Sequence, residues 1–203
     1  MRILGIFGVV LAAPAVAAVW GLAAGGGFAM PLGDYNECAL ASPVADFRFM
    51  YCLTPSWSVN GTASYRFGHT PARTYGDVDA VYGALPVMVG PSYRFDFTPF
   101  VPYVGGGGAV AYGWATVPVA VPAPVRGSGP SRAAPEDRTA LRWGLYAEGG
   151  TEYYFAYNAG IDFRSRAMAT WGGEALAFDG VAVDANSYMA FDVVAGLFWY
   201  PAF

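Results

Sequence analysis

Apolar and polar residues alternate with a period of two along residues 141–155, LRWGLYAEGGTEYYF. Arg142, Glu148 and Glu152 all fall at even positions, and no odd position in this stretch carries a charge. Because successive side chains of a β-strand point to opposite faces of a sheet, this spacing predicts a strand with one apolar face. Such a face meets a core in a soluble sandwich and lipid in a membrane barrel, so both classes stay open at this point.

The same alternation recurs in seven further segments, which brings the number of predicted strands to eight. Eight short alternating segments in succession indicate an all-β chain. The predicted strands cover residues 19–31, 44–53, 57–68, 81–96, 100–114, 141–155, 158–170 and 187–203.

The connections between these segments also fall into two groups. Short and long links alternate along the chain, as they do in an up-and-down barrel with tight periplasmic turns and long outer loops. An even number of strands then places both ends of the chain on the periplasmic side. The short links are 54–56, 97–99 and 155–157, and the long links are 32–43, 69–80, 115–139 and 171–186.

The charged residues of the eight segments decide between the two classes. All twelve lie on the polar face, and the apolar face carries none. The apolar face of a soluble sheet tolerates an occasional charge at its rim, whereas a charge on a face in lipid costs about 2–4 kcal/mol near the bilayer midplane. The pattern therefore predicts an all-β, eight-stranded antiparallel up-and-down transmembrane β-barrel. The predicted lumen charges are Asp46, Arg48, Arg66, Arg94, Asp96, Arg142, Glu148, Glu152, Asp162, Arg164, Arg166 and Asp192.

The amino-terminal residues form a separate unit with the features of a signal peptide. Arg2 supplies a positive charge, residues 3–11 are an apolar run, and Ala15-Val16-Ala17 fits a cleavage site. The stretch is too short for a membrane-spanning helix and is interrupted by Pro14. We therefore expect residues 1–17 to be removed on export and residues 18–203 to form one barrel domain in the bacterial outer membrane.

Composition supports a membrane barrel and gives no indication of a nucleic-acid-binding protein. Hydrophobic residues make up 55% of the 203 residues and charged residues only 13%, which is low for a soluble domain. The formal net charge is −4 at pH 7 and no basic patch occurs, so we expect no nucleic-acid partner.

These features together resemble the eight-stranded outer-membrane β-barrel family of the OmpA, OmpX and opacity-protein type. The resemblance rests on the signal peptide, on residues 99–114 and 146–166 and on the terminal Phe203, and it covers about residues 18 to 203. In this family the barrel-assembly machinery reads an aromatic residue at the end of the last strand. The resemblance therefore implies an assembly signal formed by Leu197, Trp199 and Phe203.

The predicted lumen holds six arginines and six acids, so its formal charge sums to zero. With 155–157 as a turn, Glu148 is predicted to face Arg164, and Asp46 lies diagonal to Arg66. Because an eight-stranded barrel is just wide enough for its own side chains, these groups are expected to close it through hydrogen bonds. We predict a sealed lumen, with a gated path for protons or ions as the functional alternative.

Small residues line the predicted inward faces of the first and fifth strands. They leave either a cavity for an apolar ligand, as in OmpW-like barrels, or room for arginine side chains from other strands, and we favour the second reading. The residues are Gly21, Ala23, Gly25, Gly27, Ala29, Gly105, Gly107, Ala109, Ala111 and Gly113.

Catalytic, cofactor and metal sites are not expected from this sequence. His69 is the only histidine, and no serine lies two residues from it to give the spacing of barrel-type lipid A hydrolases. Cys38 falls in the first outer loop and Cys52 near the opposite end of the second strand. A disulfide needs Cα atoms within about 7 Å, so both thiols are expected to be free.

We therefore expect a non-catalytic membrane barrel that displays its outer loops for adhesion or envelope integrity. A narrow channel or apolar-ligand conduit is the first alternative, and a lipid-modifying enzyme is the second. The expected partners are outer-membrane lipid and lipopolysaccharide, the barrel-assembly machinery through the last strand, and a surface ligand bound by the outer loops. We expect a monomer.

Overall fold

A computed structural model describes residues 19–32, 41–69, 81–95, 97, 99–117, 136–172, 177–178, 181–182 and 187–201. In these ranges there is no helix with the length and apolarity that a membrane crossing requires. The predicted signal peptide at 1–17, Cys38, Asp96, Phe203 and most of the predicted long links lie outside the described residues. The strands are β1 (Val19–Leu32), β2 (Ser42–Cys52), β3 (Trp57–His69), β4 (Val81–Arg94), β5 (Phe100–Val117), β6 (Glu136–Ala156), β7 (Ala159–Trp171), β8 (Ala177–Phe178), β9 (Val181–Ala182) and β10 (Ser187–Trp199).

Eight of these strands close into a barrel in the order β1-β10-β7-β6-β5-β4-β3-β2. Each pairs antiparallel with its neighbours, and β1 closes the ring by pairing with both β2 and β10. The two short strands β8 and β9 pair only with each other within the described ranges, as a hairpin between β7 and β10. The predicted eight-stranded antiparallel up-and-down barrel is confirmed.

The strand ends differ from the prediction mainly in one hairpin. β5 and β6 were predicted to end at 114 and begin at 141, but they stay paired as far as Val117 and Glu136. The link predicted for 115–139 is therefore wrong at both of its ends. Backbone pairing continues there without the alternation of apolar residues on which the prediction depended. The last strand is also shorter than predicted, because β10 ends at Trp199.

The two faces of the barrel invert the usual arrangement of a soluble protein. Large apolar side chains point outward and are exposed, for example Phe28 at 61% and Leu197 at 63% of their surface. Charged side chains point inward and are buried, for example Arg48 and Arg166 at 1%. An apolar outer surface of this extent belongs in lipid, and a polar interior is the normal filling of a transmembrane barrel.

The glycines of β1 let the barrel wall close tightly against β10. A Cβ at Gly25 or Gly27 would overlap the backbone carbonyl oxygen of Ala195 or Val193. These two glycines therefore serve close strand approach, a reason for small residues that the sequence prediction did not include. Elsewhere the room is used by side chains, since a Cβ at Gly21 would meet the ring of Tyr200.

The two ends of the barrel are different. The short connections from β2 to β3, from β4 to β5 and from β6 to β7 lie at one end, which we call the turn end. Val19 and Pro201, the first and last described residues, lie at the same end. The opposite end, from which the longer connections depart, is the loop end. In barrels of this type the turn end is periplasmic.

Candidate functional site

The candidate site is the set of charged residues that the strands direct into the lumen. All of them share the inward parity of their strand, because side chains alternate between the two faces of the wall. Arg94 and Arg142 are partly buried, and Asp96 lies outside the described residues. The other nine predicted lumen charges are buried, with at most 6% of their surface exposed: Asp46, Arg48, Arg66, Glu148, Glu152, Asp162, Arg164, Arg166 and Asp192.

Glu152 is the centre of the layer nearest the turn end. Arg48 Nη2 lies 3.2 Å from its Oε1, and Arg94 Nη2 lies 2.5 Å from its Oε2. Arg94 also donates to the hydroxyl groups of Tyr154 at 2.6 Å and Tyr200 at 2.9 Å. Side chains of β2, β4 and β6, together with Tyr200 just after β10, thus meet in one charged layer.

Asp46 is the centre of a second layer, farther from the turn end. Its Oδ1 lies 2.6 Å from Arg164 Nη2, and its Oδ2 lies 2.7 Å from Arg166 Nη2. Ser64 Oγ donates to the same Oδ2 at 2.6 Å. One carboxylate of β2 therefore holds two guanidinium groups that come from β7.

Asp162 joins these two layers into one network. Its Oδ2 lies 3.3 Å from Arg48 Nη2 and 3.5 Å from Arg164 Nη2, and its Oδ1 accepts from Tyr103 at 2.8 Å. Toward the loop end, Asp192 pairs with Arg66 at 2.5 Å and lies 3.9 Å from Arg166 Nε. Opposite charges thus alternate along the lumen in the order Arg94, Glu152, Arg48, Asp162, Arg164, Asp46, Arg166, Asp192 and Arg66.

The prediction that Glu148 faces Arg164 is wrong. β6 continues to Ala156, which pairs with Ala159, so the turn consists of residues 157–158 rather than 155–157. The shorter turn and a register shift between Tyr154 and Ala156 together place Glu148 opposite Arg166, two residues beyond its predicted partner. The carboxylate of Glu148 instead accepts a hydrogen bond from Asn60.

Asp46 does lie diagonal to Arg66, because its direct partner across β2 and β3 is Ser64, next to the pair of Val44 with Arg66. The guanidinium of Arg66 nevertheless pairs across the lumen with Asp192 of β10. Cross-strand distance alone therefore does not determine which charges meet in this lumen.

Sequence reasoning missed the tyrosines that hold the network together. The ring of Tyr103 lies under Arg48, with 4.9 Å between the guanidinium carbon and the ring centroid. Tyr154 and Tyr200 stack at 6.4 Å and bond to Arg94. The available signal was their parity, since each lies on the inward face in the same register as the charged residues.

A recess opens at the turn end, beside the first charged layer. Its larger part has a volume of about 600 Å³ and its smaller part about 320 Å³, and Arg94 and Tyr154 line both. Cys52 lines the smaller part with a free thiol that accepts from Arg94 at 3.6 Å. Among the described residues, no group of three or more His, Cys, Asp or Glu side chains is arranged to hold a metal ion.

Two of the three residues of the predicted assembly signal lie on the outer face of the last strand. Leu197 and Trp199 are exposed on β10, and Trp199 packs edge-on against Trp20 of β1 at 5.8 Å. Trp20 in turn stacks on Phe49 at 6.5 Å, so an aromatic row crosses the seam where the barrel closes. This row lies toward the turn end, at the level where aromatic girdles occur in membrane barrels.

A closed eight-stranded barrel with an apolar exterior and a charged interior has the architecture of a bacterial outer-membrane β-barrel. Solved structures bear out that class. The fold is similar to Neisserial surface protein A, with a TM-score of 0.56 at 14% identity over 89% of this chain and 96% of that one. It is similar to Ail, the attachment invasion locus protein of Yersinia pestis, solved with the heparin analogue sucrose octasulfate (TM-score 0.55, 14% identity, 90% and 99% covered).

A third similar structure is the outer membrane protein OprG from Pseudomonas aeruginosa, with a TM-score of 0.54 at 14% identity over 92% of this chain and 98% of that one. No protein-family profile matches the chain. No curated protein matches it in sequence either. The likeness to these three structures establishes the fold, and the activity has to be argued from the residues themselves.

Proposed function

We propose that this protein is a non-catalytic outer-membrane barrel with a sealed lumen, which displays its outer loops for adhesion or envelope integrity. The observation that carries the proposal is the pair of Arg48 and Glu152, 3.2 Å apart. Arg48 belongs to β2 and Glu152 to β6, and three strands lie between β2 and β6 in either direction around the ring. The pair therefore spans the full diameter of the barrel.

Other contacts cross the lumen in the same way. Asp46 of β2 reaches Arg164 and Arg166 of β7, and Arg66 of β3 reaches Asp192 of β10. Charges that stayed along the wall would leave a water-filled path, whereas bonds between opposite walls occupy the axis. An eight-stranded barrel has little interior space beyond its side chains, so these layers are sufficient to block ion flow.

A sealed lumen leaves the outer surface as the place where such a barrel acts. The long connections at 33–40, 70–80 and 118–135 supply the sequence for binding at the loop end. The proteins with a similar fold include one described as a surface protein and one as an attachment invasion locus protein. This likeness supports adhesion by analogy of fold only.

The test is the ion conductance of refolded residues 18–203 in a planar bilayer, after heat-dependent gel mobility has verified insertion. We expect no openings from the wild type. The double variant Arg48→Ala/Glu152→Ala removes the pair that spans the diameter and is expected to give small discrete openings. Thr151→Ala, which changes the neighbouring residue on the opposite face of β6, is the matched control and should stay silent. Discrete openings from the wild type would refute the sealed lumen.

A narrow channel or conduit is the second candidate function. It is favoured by the recess of about 600 Å³ at the turn end, which reaches the first charged layer at Arg94. Under this alternative the network opens transiently, and the wild type itself conducts in the same bilayer measurement.

A further inference from the structure

Glu148 differs from the other buried acids of the described lumen. Asp46, Glu152, Asp162 and Asp192 each have a guanidinium nitrogen within 3.3 Å. In the described part of the chain, Glu148 has no such ion pair, although only 6% of its surface is exposed. Its Oε1 accepts from Asn60 Nδ2 at 3.3 Å, and its Oε2 has no hydrogen-bond partner. Asp162 Oδ2 and Asp192 Oδ1 also lack a hydrogen-bond partner, but each of those carboxylates has an arginine in an ion pair with it. A buried carboxylate without a paired cation is unfavourable, and a bound cation would compensate its charge.

Arg48 and Arg166 are near enough to interact electrostatically with Glu148, but neither forms an ion pair with it in the described part of the chain. The side chains grouped at its carboxylate are neutral and rich in oxygen. Ser58 Oγ lies 2.7 Å from Ser92 Oγ and donates to Asn60 Oδ1 at 3.2 Å, while Asn60 Nδ2 donates to Ser92 Oγ at 3.0 Å. All three residues are buried, with 2–3% of their surface exposed. Thr62, two residues from Asn60 on the same face of β3, also has a buried Oγ1 without a partner.

The strand register assembles this cluster as one row across the wall. Ser58 pairs with Ser92, Ser92 with Gly105, and Gly105 with Glu148. A Cβ at position 105 would lie 2.9 Å from Ser92 Cβ and 3.3 Å from Glu148 Oε1. Glycine at this position therefore leaves the space into which the carboxylate and the serine project.

We propose that Glu148, Asn60, Ser58 and Ser92 form a binding site for one monovalent metal cation of the sodium class. Hard cations take carboxylate, amide and hydroxyl oxygens, which are the donors this cluster offers. A half-turn of the Asn60 amide directs Oδ1 rather than Nδ2 toward Glu148 and Ser92, and it conserves the shape of the side chain. A single carboxylate matches a single positive charge.

The nearby guanidinium groups do not neutralise Glu148, because each of them forms ion pairs with other acids. Arg48 pairs with Glu152 and Asp162, and Arg166 pairs with Asp46. The site lies on the side of the lumen nearer the turn end, since Ser92 is two residues from Arg94, which lines the recess. The inference goes beyond the proposed function, because a bound cation is compatible with either a silent or a conducting barrel.

The test is the thermal unfolding of the refolded wild type in detergent micelles, followed by gel mobility and circular dichroism. Chloride concentration and ionic strength are held constant while choline is replaced by lithium, sodium or potassium. We expect the midpoint to rise saturably with sodium, by about 5–10 °C once sodium is about 100-fold above its dissociation constant. Glu148→Gln should lose this rise, and in choline it should be at least as stable as the wild type.

Asp162→Asn is the matched control, since it alters a lumen acid that a guanidinium already holds. It should lower the midpoint in every salt and keep the sodium-dependent rise. Equal midpoints of the wild type in sodium and choline would overturn the proposal, as would a sodium response that survives in Glu148→Gln. If Glu148→Gln does not fold, ²³Na line broadening by the wild type decides, and its absence overturns the site. If the stability of the wild type responds to pH but not to sodium, the cluster holds a proton on Glu148 and the proposed cation site is wrong.

Discussion

Glu152 is the residue on which most of the first charged layer depends. It holds Arg48 at 3.2 Å and Arg94 at 2.5 Å, and Tyr200 donates to it at 3.3 Å. A buried carboxylate that serves two arginines cannot be removed without leaving both cations short of a partner. The consequence is greater than the loss of one hydrogen bond, because uncompensated buried charge is itself destabilising.

Glu152→Gln is therefore expected to lower the free energy of unfolding by about 3–5 kcal/mol. Reversible urea unfolding from lipid vesicles, monitored by tryptophan fluorescence, measures this change. Thr151→Ala, on the outer face beside it, is the control and should stay within about 0.5 kcal/mol of the wild type. A Glu152→Gln variant as stable as the wild type would show that the layer contributes no net stability.

At this scale the sequence predicted which residues face inward but not which of them meet. Parity places Arg48 and Glu152 on inward faces, because a strand alternates with a period of two. Their contact depends on the position of each strand around the ring and on its stagger along the axis. The alternation of apolar and polar residues carries no information on either quantity. The error at Glu148 has the same origin, since the shorter turn at 157–158 and the register shift between Tyr154 and Ala156 move its partner from Arg164 to Arg166.

The element of greatest consequence is the seam between β1 and β10, where the ends of the chain meet. The two strands pair from Leu22 with Trp199 to Leu32 with Met189. Gly25 and Gly27 lie so close to the β10 backbone that a methyl group at either would overlap a carbonyl oxygen. The curvature of the wall at the seam therefore requires these glycines.

Gly27→Ala is expected to displace β1 from β10 and to destabilise the barrel by about 1–3 kcal/mol. Gly108→Ala is the matched control, because an added Cβ at Gly108 would have no atom within 4 Å. The fraction of each variant that resists heat-induced loss of the compact gel form gives the readout. Equal resistance of the two variants would contradict the proposed role of the seam glycines.

Strand existence was predictable for all eight barrel strands, and strand length was not. Alternation marks the part of a strand that passes between lipid and lumen, where the two faces differ most. The β5–β6 hairpin continues to Val117 and Glu136, beyond the alternating part, and is held there by backbone pairing. Residue type leaves no signal for such an extension, because both faces of the hairpin can then be polar.

At the scale of the whole molecule, the barrel has its charged groups inside and its apolar groups outside. Arg48, Arg66 and Arg166 are among its most buried side chains, while Phe28 and Leu197 are largely exposed. The lipid around the barrel replaces the hydrophobic core of a soluble protein, and the ion pairs fill the interior. Stability should therefore be sensitive to any charge that is placed on the outer wall.

Val193→Arg tests this arrangement at the centre of β10, where the side chain is exposed on the outer face. We expect a loss of about 2–4 kcal/mol in lipid vesicles, the cost of a basic residue near the bilayer midplane. Val193→Ala, which shortens the side chain without adding charge, is the control and should lose less. If Val193→Arg were tolerated in vesicles as well as Val193→Ala, the outer wall would not face hydrocarbon.

The barrel strands differ in length, so the barrel is not symmetric about its axis at the loop end. β6 has 21 residues, whereas β7 beside it has 13. At about 3.3 Å per residue and a tilt of about 45°, β6 rises ~49 Å, about twice the ~25 Å height of the apolar band. The excess lies at the loop end, so β6 and its partner β5 extend beyond the other barrel strands there. Of the described strands, this pair reaches farthest from the bilayer, so the rotation of the barrel about the membrane normal determines the direction in which the pair faces.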